Sequence, residues 1–241
     1  YVKNEILDMQ GTEGENPDNN KFWYLEGYPI GTYYGYVADG FFNTKEDLEK
    51  YPKRTGSDTL GDIKYKDLSK DGKIDDDDRT VIGKNFPSWT GGLSFSLTYK
   101  NFDLSGLFQG AFDVDGYYTN EAAYAFYNGA TALKKHLDRW TPDNHDASYP
   151  RVTRSSQTNF VTSSFWLKDA SYVRLKNITL SYSFPKQWIQ KIAVNNLKLF
   201  ISGENLLTFT GLDDIDPEEG NERGWSYGNV KKVSLGLRVG F

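Results

Sequence analysis

The chain has 241 residues, a formal net charge of −5 and no cysteine. This composition excludes a disulfide framework and a thiolate metal site, and the acidic balance argues against a nucleic-acid-binding protein. Aromatic residues make up 16% of the chain and glycines number 23, which favours a strand-rich protein because aromatic side chains suit pleated surfaces and glycines suit turns.

The first part of the chain carries weak strand signals and one helix signal. Residues 1–8 favour a short strand, and PIGTYYGYVADG at 29–40 favours a strand with tyrosines at an interface. A long polar stretch, 41–87, follows. Within it Thr44 is a helix N-cap candidate with acidic residues just after it, so TKEDLEKYPK is predicted to begin a short helix.

Two strands with period-two alternation come next. GGLSFSLTYK at 91–100 places its apolar residues on one face: Leu93, Phe95, Leu97 and Tyr99. NFDLSGLFQG at 101–110 follows the alternation less well, because Leu107 falls on the polar face. We predict two strands joined by a hairpin turn at Lys100-Asn101, in which Asn tolerates the positive φ that such turns need.

Three more strands follow a polar stretch with a helical pattern, ALKKHLDRW. In SYVRLKNITLSYSF the apolar face of the second half is continued upstream by Arg174 and Lys176. Either the charged half rises above a membrane, or a bulge near Asn177 reverses the alternation. NLKLFISGENL and the last thirteen residues, NVKKVSLGLRVGF, are the other two strands, and the last alternates strictly up to the terminal Phe241.

The connections between these strands differ greatly in length. If the strands run up and down, the connections at 100–101 and 184–195 lie on the side of the C-terminus, and the long stretches 41–87, 112–170 and 208–228 lie on the other. Short turns on one side and long loops on the other are typical of an outer-membrane barrel. We therefore predict an all-β fold made of about seven strands of a large antiparallel transmembrane β-barrel.

About seven strands do not close such a barrel, because single-chain bacterial barrels use even numbers from about eight upward. The two outer strands would leave unpaired backbone groups in lipid, which is not tolerated. The N-terminus also lacks a signal-peptide pattern. We expect the chain to be a piece of a longer protein.

The stretch DLSKDGKIDDDD at 67–78 follows the spacing of an EF-hand-type calcium loop. The predicted ligands, at the spacing of that loop, are Asp67, Ser69, Asp71, Lys73 through its backbone carbonyl, Asp75 and Asp78. Gly72 supplies the positive φ of the sharp turn, and Ile74 is the aliphatic residue after it. We predict a Ca²⁺ site, with Mg²⁺ as the alternative ion.

Two features of this loop depart from the sensor form. Asp78 stands where a sensor has the longer Glu, and Ser69 is a neutral ligand. Both favour a structural site of the weak, extracellular kind over a switch. The alternative is a solvated acidic loop that holds no ion.

The chain resembles the C-terminal part of the SusC/RagA-type TonB-dependent transporters of the Bacteroidetes outer membrane. The stretches that carry the resemblance are GYPIGTYYGYVADGFF, GDIKYKDLSKDGKIDDDDRTVIGKNFPSWTGGLSFSLTYKNFDLSGLFQG and the tail SYVRLKNITLSYSFP…LKLFISGENLLTFTGLDDIDPE…VKKVSLGLRVGF. It extends from about residue 28 to Phe241. It implies a barrel of about 22 strands, of which residues 1–241 would form the C-terminal segment without the plug domain.

The resemblance also implies a function and partners. The expected activity is energy-driven import of oligosaccharides or peptides across the outer membrane. The expected partners are a SusD-like lipoprotein lid, the N-terminal plug and barrel part of the same protein, TonB through that part, membrane lipid and a glycan or peptide cargo. The loop at 67–78 would be extracellular, and Phe241 would be the terminal aromatic residue that barrel-assembly machinery reads.

Two other functions compete with import. A soluble, calcium-stabilised glycan-binding β-domain would stack sugars on exposed aromatics such as Trp23, Tyr24, Trp89 and Trp225. It would need no detergent, and girdle or core positions are the alternative role of these side chains. A glycoside hydrolase would need paired carboxylates, but the acids at 213–219 and the pair His136 and His145 have no catalytic or metal spacing. We therefore predict that the chain is not an enzyme.

Overall fold

The computed structural model describes residues 1–11, 14–15, 21–190, 194–219, 223–224 and 227–241. Its strands are β1 (Gly14–Glu15), β2 (Phe22–Tyr24), β3 (Thr32–Tyr36), β4 (Ala38–Phe41), β5 (Ile63–Tyr65), β6 (Arg79–Lys84), β7 (Trp89–Tyr99), β8 (Phe102–Phe112), β9 (Asp115–Tyr117), β10 (Leu167–Asp169), β11 (Tyr172–Ser183), β12 (Asn196–Thr210) and β13 (Lys232–Gly240). Its α-helices are α1 (Lys45–Lys50), α2 (Asn120–Ala123) and α3 (Lys186–Ile189). None of the described helices is long and apolar enough to cross a membrane.

The five longest strands form one antiparallel sheet in the order β13-β12-β11-β8-β7. The short connections, at 100–101 and 184–195, leave this sheet at one end, called here the turn end, where β13 also finishes. The long connections leave it at the opposite end, called here the loop end. The predicted segregation of short turns and long loops is confirmed.

One face of the sheet carries apolar side chains that the chain itself leaves exposed. A central row crosses all five strands through Leu97, Leu104, Leu180, Ile201 and Leu235. Leu235 is 74% exposed and Leu97 is 62% exposed. The opposite face is polar and includes the ion pair of Lys198 with Asp103, at 2.7 Å. The predicted division of these strands into an apolar and a polar face is confirmed.

A β-bulge interrupts β11. The pairing of β11 with both β8 and β12 shifts register between Leu175 and Asn177. Against β8 the extra residue is Lys176, whereas against β12 the extra residue belongs to β12, between Glu204 and Leu207. Alternation resumes with opposite parity after a bulge. Arg174 therefore lies on the polar face, where it is 2% exposed, and does not continue the apolar face of Leu180. Of the two interpretations of this strand, the bulge is confirmed.

The hairpin between β7 and β8 turns at Lys100 and Asn101 as predicted. The left-handed conformation falls on Lys100, with φ of +54°, and not on Asn101. The expectation that Asn101 would supply the positive φ was therefore wrong. The residue type alone did not decide which position of the turn carries it, because the pairing of Tyr99 with Phe102 sets the turn geometry.

Apart from α3, the remaining elements gather at the loop end around an aromatic core. They form a four-stranded sheet, β1-β2-β3-β6, and the pairs β4–β5 and β9–β10. The tyrosines predicted at an interface, Tyr33 and Tyr36 of β3, are core residues here, 2% and 5% exposed. The N–H groups of Val2 and Ile6 donate to the carbonyls of Ser88 and Tyr28, but residues 1–8 form no strand, so that expectation was wrong.

The helix signal at Thr44 is confirmed in α1. The Thr44 hydroxyl accepts the Asp47 N–H at 3.1 Å, and the Asp47 carboxylate accepts the Thr44 N–H at 2.9 Å, which is a complete capping box. The second helical pattern, ALKKHLDRW, forms only a short 3-10 turn, Lys134–Leu137.

Candidate functional site

The acidic loop lies between β5 and β6 at the loop end, and its turn has the predicted form. Gly72 has a φ of +86°, and its N–H donates to Asp67 Oδ2 at 2.9 Å. Ile74 is 4% exposed and belongs to the aromatic core. The positive φ predicted for Gly72 at the turn is confirmed, and burial of Ile74 adds an anchor that the spacing did not predict. Strands rather than long helices flank the loop.

Asp78 holds the loop together through backbone amides. Its buried carboxylate accepts N–H groups from Leu68 at 2.8 Å, Ser69 at 3.0 Å and Asp75 at 2.9 Å. Burial by itself would raise the pKa of Asp78, but these N–H donors outweigh burial and hold the pKa below its ordinary value.

The other predicted ligands bond their own loop. Asp71 Oδ1 accepts the Lys73 N–H at 2.9 Å, and Asp75 Oδ1 accepts the Asp77 N–H at 3.1 Å. Asp71 and Asp75 are exposed. In the part of the chain that the structure describes, no three carboxylate or imidazole side chains converge where they would hold a metal ion. Calcium binding by this loop stays a prediction.

We expect Asp78→Asn to lower the thermal unfolding midpoint at neutral pH, at a cost of about 1–3 kcal/mol, because one buried carboxylate accepts three backbone N–H groups. The pKa of Asp78 is lower in the folded chain than its ordinary value of 3.8. Its contribution is therefore complete above pH 3.8 and is lost as the pH falls through the folded pKa.

Calorimetry in EDTA across this range checks the prediction, with Asp71→Asn as the exposed control. The difference between wild type and Asp78→Asn should shrink in acid. A difference that stays constant from neutral to acidic pH would contradict the role given to the carboxylate.

The acidic segment after β12 neutralises basic residues on the polar face of β11. Arg174 Nη2 donates to Asp216 Oδ1 at 2.7 Å, and its Nη1 donates to Glu218. Lys176 Nζ lies 2.9 Å from Glu218 Oε2, and the Tyr172 hydroxyl donates to Glu218 Oε1 at 3.0 Å. These carboxylates are therefore partners of a structural cluster, and they are not arranged as a catalytic acid and base.

This cluster, Arg174 with Lys176, Asp216 and Glu218, ties the β12–β13 connection to the sheet. Asp216 also accepts the N–H of Glu218 at 3.0 Å and that of Asn229 at 3.0 Å. Burial would raise the pKa of Asp216, but Arg174 and these two N–H groups hold it below its ordinary value. Sequence reasoning missed the cluster. The signal in the sequence was that Arg174 and Lys176 occupy positions that strict alternation would assign to the apolar face. Acidic residues follow further along the chain, at 213–219.

The two histidines do not form a site together. His136 is buried, accepts the Leu133 N–H at Nδ1 over 3.0 Å and lies 3.0 Å from the Ala123 carbonyl oxygen. His145 stacks on Trp140, with ring centroids 5.5 Å apart. Trp140 is itself buried and serves the packing of the loop end.

The aromatic residues considered for sugar stacking are dispersed. Trp23 stacks on Tyr34 at 4.1 Å, and Tyr24 is partly buried in β2. Trp89 is 54% exposed and begins β7 at the loop end, a girdle position. Trp225 lies outside the described residues. Phe241 follows β13 at the turn end and is 89% exposed.

Known proteins that are similar in sequence to this chain include several TonB-dependent receptors. The TonB-dependent receptors P3 and P26 of Formosa agariphila are 32% and 31% identical over 90% and 99% of this chain. The TonB-dependent receptor SusC of Bacteroides thetaiotaomicron is 24% identical over 76% of it. The chain spans only 22%, 26% and 17% of these three proteins. No protein-family model matches the chain.

Solved structures of the RagAB peptide transporter have the same fold. One matches 98% of this chain with a TM-score of 0.75 and 23% identity, and the 'open-open' state of the RagAB peptide importer matches 98% with a TM-score of 0.73 and 24% identity. Each match covers 25% of the RagAB chain. The predicted fold class, strands of a large antiparallel barrel, is confirmed.

Proposed function

The chain belongs to the TonB-dependent receptors of the SusC/RagA type, and we propose that it forms the C-terminal part of the barrel of an outer-membrane nutrient importer. The five-stranded sheet, with one exposed apolar face and one polar face, is the observation that carries the proposal. In such a barrel the apolar face meets lipid and the polar face meets the lumen. The loop end would then be extracellular and the turn end periplasmic.

The open edges of the sheet support the rest of the assembly. Among the described residues, β7 and β13 each pair with another strand on one side only, and unpaired strand edges are not tolerated in lipid. We propose that further strands of the same receptor close the barrel and that its N-terminal part supplies the plug and the contact with TonB. A SusD-like lipoprotein is the proposed lid, and an oligosaccharide or a peptide is the proposed cargo. The proposal gives the chain no catalytic step.

Detergent extraction of the outer-membrane fraction, followed by identification of everything that copurifies with the chain, tests this function. Copurification with a plug-bearing N-terminal part and a lipoprotein is the expected result. A detergent-free, monodisperse monomer of the chain would refute it and would favour the calcium-stabilised glycan-binding domain.

We also propose that the acidic loop binds Ca²⁺ as a structural ion. Its donors are all oxygen, the kind of ligand that Ca²⁺ prefers, and the turn at Gly72 already folds the loop back on Asp67. Asp71 and Asp75 are exposed, and in the described part of the chain their carboxylates accept hydrogen bonds from loop amides, so they can turn toward an ion.

We expect Ca²⁺ to raise the unfolding midpoint of the EDTA-treated receptor, since an ion that binds only the folded loop stabilises it. Asp71→Asn should abolish this shift and leave the midpoint in EDTA nearly unchanged, because Asp71 is exposed. Asp77→Asn is the matched control, since Asp77 is an exposed acid of the same loop at a non-ligand position. No calcium-dependent shift in wild type would leave a solvated acidic loop.

A further inference from the structure

A pocket of about 150 Å³ lies at the loop end, where β8, β11 and β12 leave the sheet. Its lining includes Tyr33, Asp115, Tyr117, Ala170, Leu212 and Ile215. Ligand sites for whole small molecules usually occupy at least about 300 Å³. This pocket therefore suits a single side chain or head group.

Two carboxylates line this pocket, and Asp216 is already paired with Arg174. Asp115 is the carboxylate that faces the pocket without an ion-pair partner among the described residues. Its Oδ2 accepts the Lys84 N–H at 3.0 Å, and it makes no salt bridge within the described ranges. The Lys84 ammonium is engaged elsewhere, with Asp113 at 2.6 Å and Ser88 at 2.7 Å. A half-buried carboxylate thus faces the pocket with one backbone hydrogen bond.

The surroundings of Asp115 add negative charge. Asp169 lies directly opposite Asp115 in the β9–β10 pair, and like charges at such positions destabilise a sheet. Burial raises the pKa of Asp115, and the nearby Asp169 and Asp113 carboxylates add to the rise, while the backbone N–H and the ammonium of Lys84 oppose it. A Cβ on Gly83 would lie 2.5 Å from Asp115 Oδ2, so glycine there leaves room for the carboxylate.

The walls of the pocket suit a cation on an apolar stem. Tyr33 and Tyr117 stack with ring centroids 5.5 Å apart, and tyrosine faces attract cations. The Lys21 ammonium already lies 5.3 Å from the centroid of the Tyr117 ring. Leu212 and Ile215 supply aliphatic surface.

We propose that this pocket binds an organic cation, a primary ammonium or guanidinium group on an apolar stem, with its charge against Asp115. A metal ion fits less well, because no three ligating side chains of the described residues converge there. A neutral sugar would leave the opposed carboxylates uncompensated. The site is independent of the import activity proposed above, and the cation has two sources, a free amine or a basic side chain of a peptide.

The test is isothermal titration calorimetry of the detergent-solubilised receptor that contains this chain, in an amine-free phosphate buffer. The probes are agmatine for a free amine, the terminally blocked peptide N-acetyl-Gly-Lys-Gly-amide for a basic side chain, and n-butanol as the neutral comparison. Agmatine or the peptide should bind and n-butanol should not. The stronger of the two binders identifies the source.

Asp115→Asn should weaken binding at least about tenfold, since it removes the charge partner of the ligand. Its amide oxygen can still accept the Lys84 N–H, so the local fold is retained. Asp39→Asn, an exposed acid of β4 outside the pocket, should bind as wild type does. Binding of neither cation by wild type, equal binding of n-butanol, or full affinity of a folded Asp115→Asn would overturn the proposal. Asp115-dependent binding of Ca²⁺ without amine binding would overturn it too.

Discussion

Arg174→Ala is expected to detach the β12–β13 connection from the sheet, at a cost of about 3–5 kcal/mol, the typical penalty for breaking a buried ion pair by removing one partner. The Arg174 side chain is 3% exposed, and its carboxylate partners, Asp216 and Glu218, are 10% and 15% exposed. Removing the guanidinium leaves both carboxylates nearly buried. Lys176, which pairs with Glu218, is then the remaining cation of the cluster.

Two measurements check this expectation. The amount of folded receptor in the outer membrane should fall, and protease sensitivity of the connection between β12 and β13 should rise. Lys198→Ala is the matched control, because its pair with Asp103 is on the same face of the sheet but about one third exposed. Such a pair contributes about 0–1 kcal/mol. Equal effects of Arg174→Ala and Lys198→Ala would show that the buried cluster does not hold the connection.

Arg174→Ala combined with Glu218→Ala gives the sharper comparison. Because the two side chains share one cluster, the effects of the single changes should not add in the double variant. Additive effects would mean that Arg174 acts through packing alone.

Leu235→Arg is expected to impair insertion of the barrel. Leu235 lies near the middle of β13, in the apolar row, and is 74% exposed in the chain. An arginine on the lipid face costs about 2–4 kcal/mol at the bilayer midplane. Leu235→Asp should act in the same direction with a smaller effect.

Ser234→Arg is the matched control for this prediction. Ser234 is the neighbouring residue of the same strand, on the opposite, polar face, where a charge meets water in the proposed barrel. Outer-membrane levels of the heat-modifiable, folded receptor compare the two variants. Leu235→Arg should be depleted and Ser234→Arg should accumulate normally. The reverse order would mean that the two faces have been interchanged.

Local patterns in the sequence were sufficient to predict the long strands of the sheet and the turn of the acidic loop. Period-two alternation defined β13 and the apolar face that includes Leu235, since side chains of a strand alternate between its faces. The loop spacing predicted a glycine with positive φ at the turn, and Gly72 has it. These features depend on residues a few positions apart, which a single sequence displays.

Only the tertiary structure decided which face Arg174 occupies and which residues the buried charges contact. The face of Arg174 depends on a register shift, which is set by two neighbouring strands. Its partner Asp216 is 42 residues away, and the carboxylates of Asp115 and Asp169 meet across a strand pair. Such contacts arise from the packing of distant segments, and no local periodicity encodes which distant residue a buried charge will meet. The sequence by itself therefore determined the long strands and their apolar face, whereas long-range packing determined which charges are paired and which carboxylate faces a pocket without an ion-pair partner.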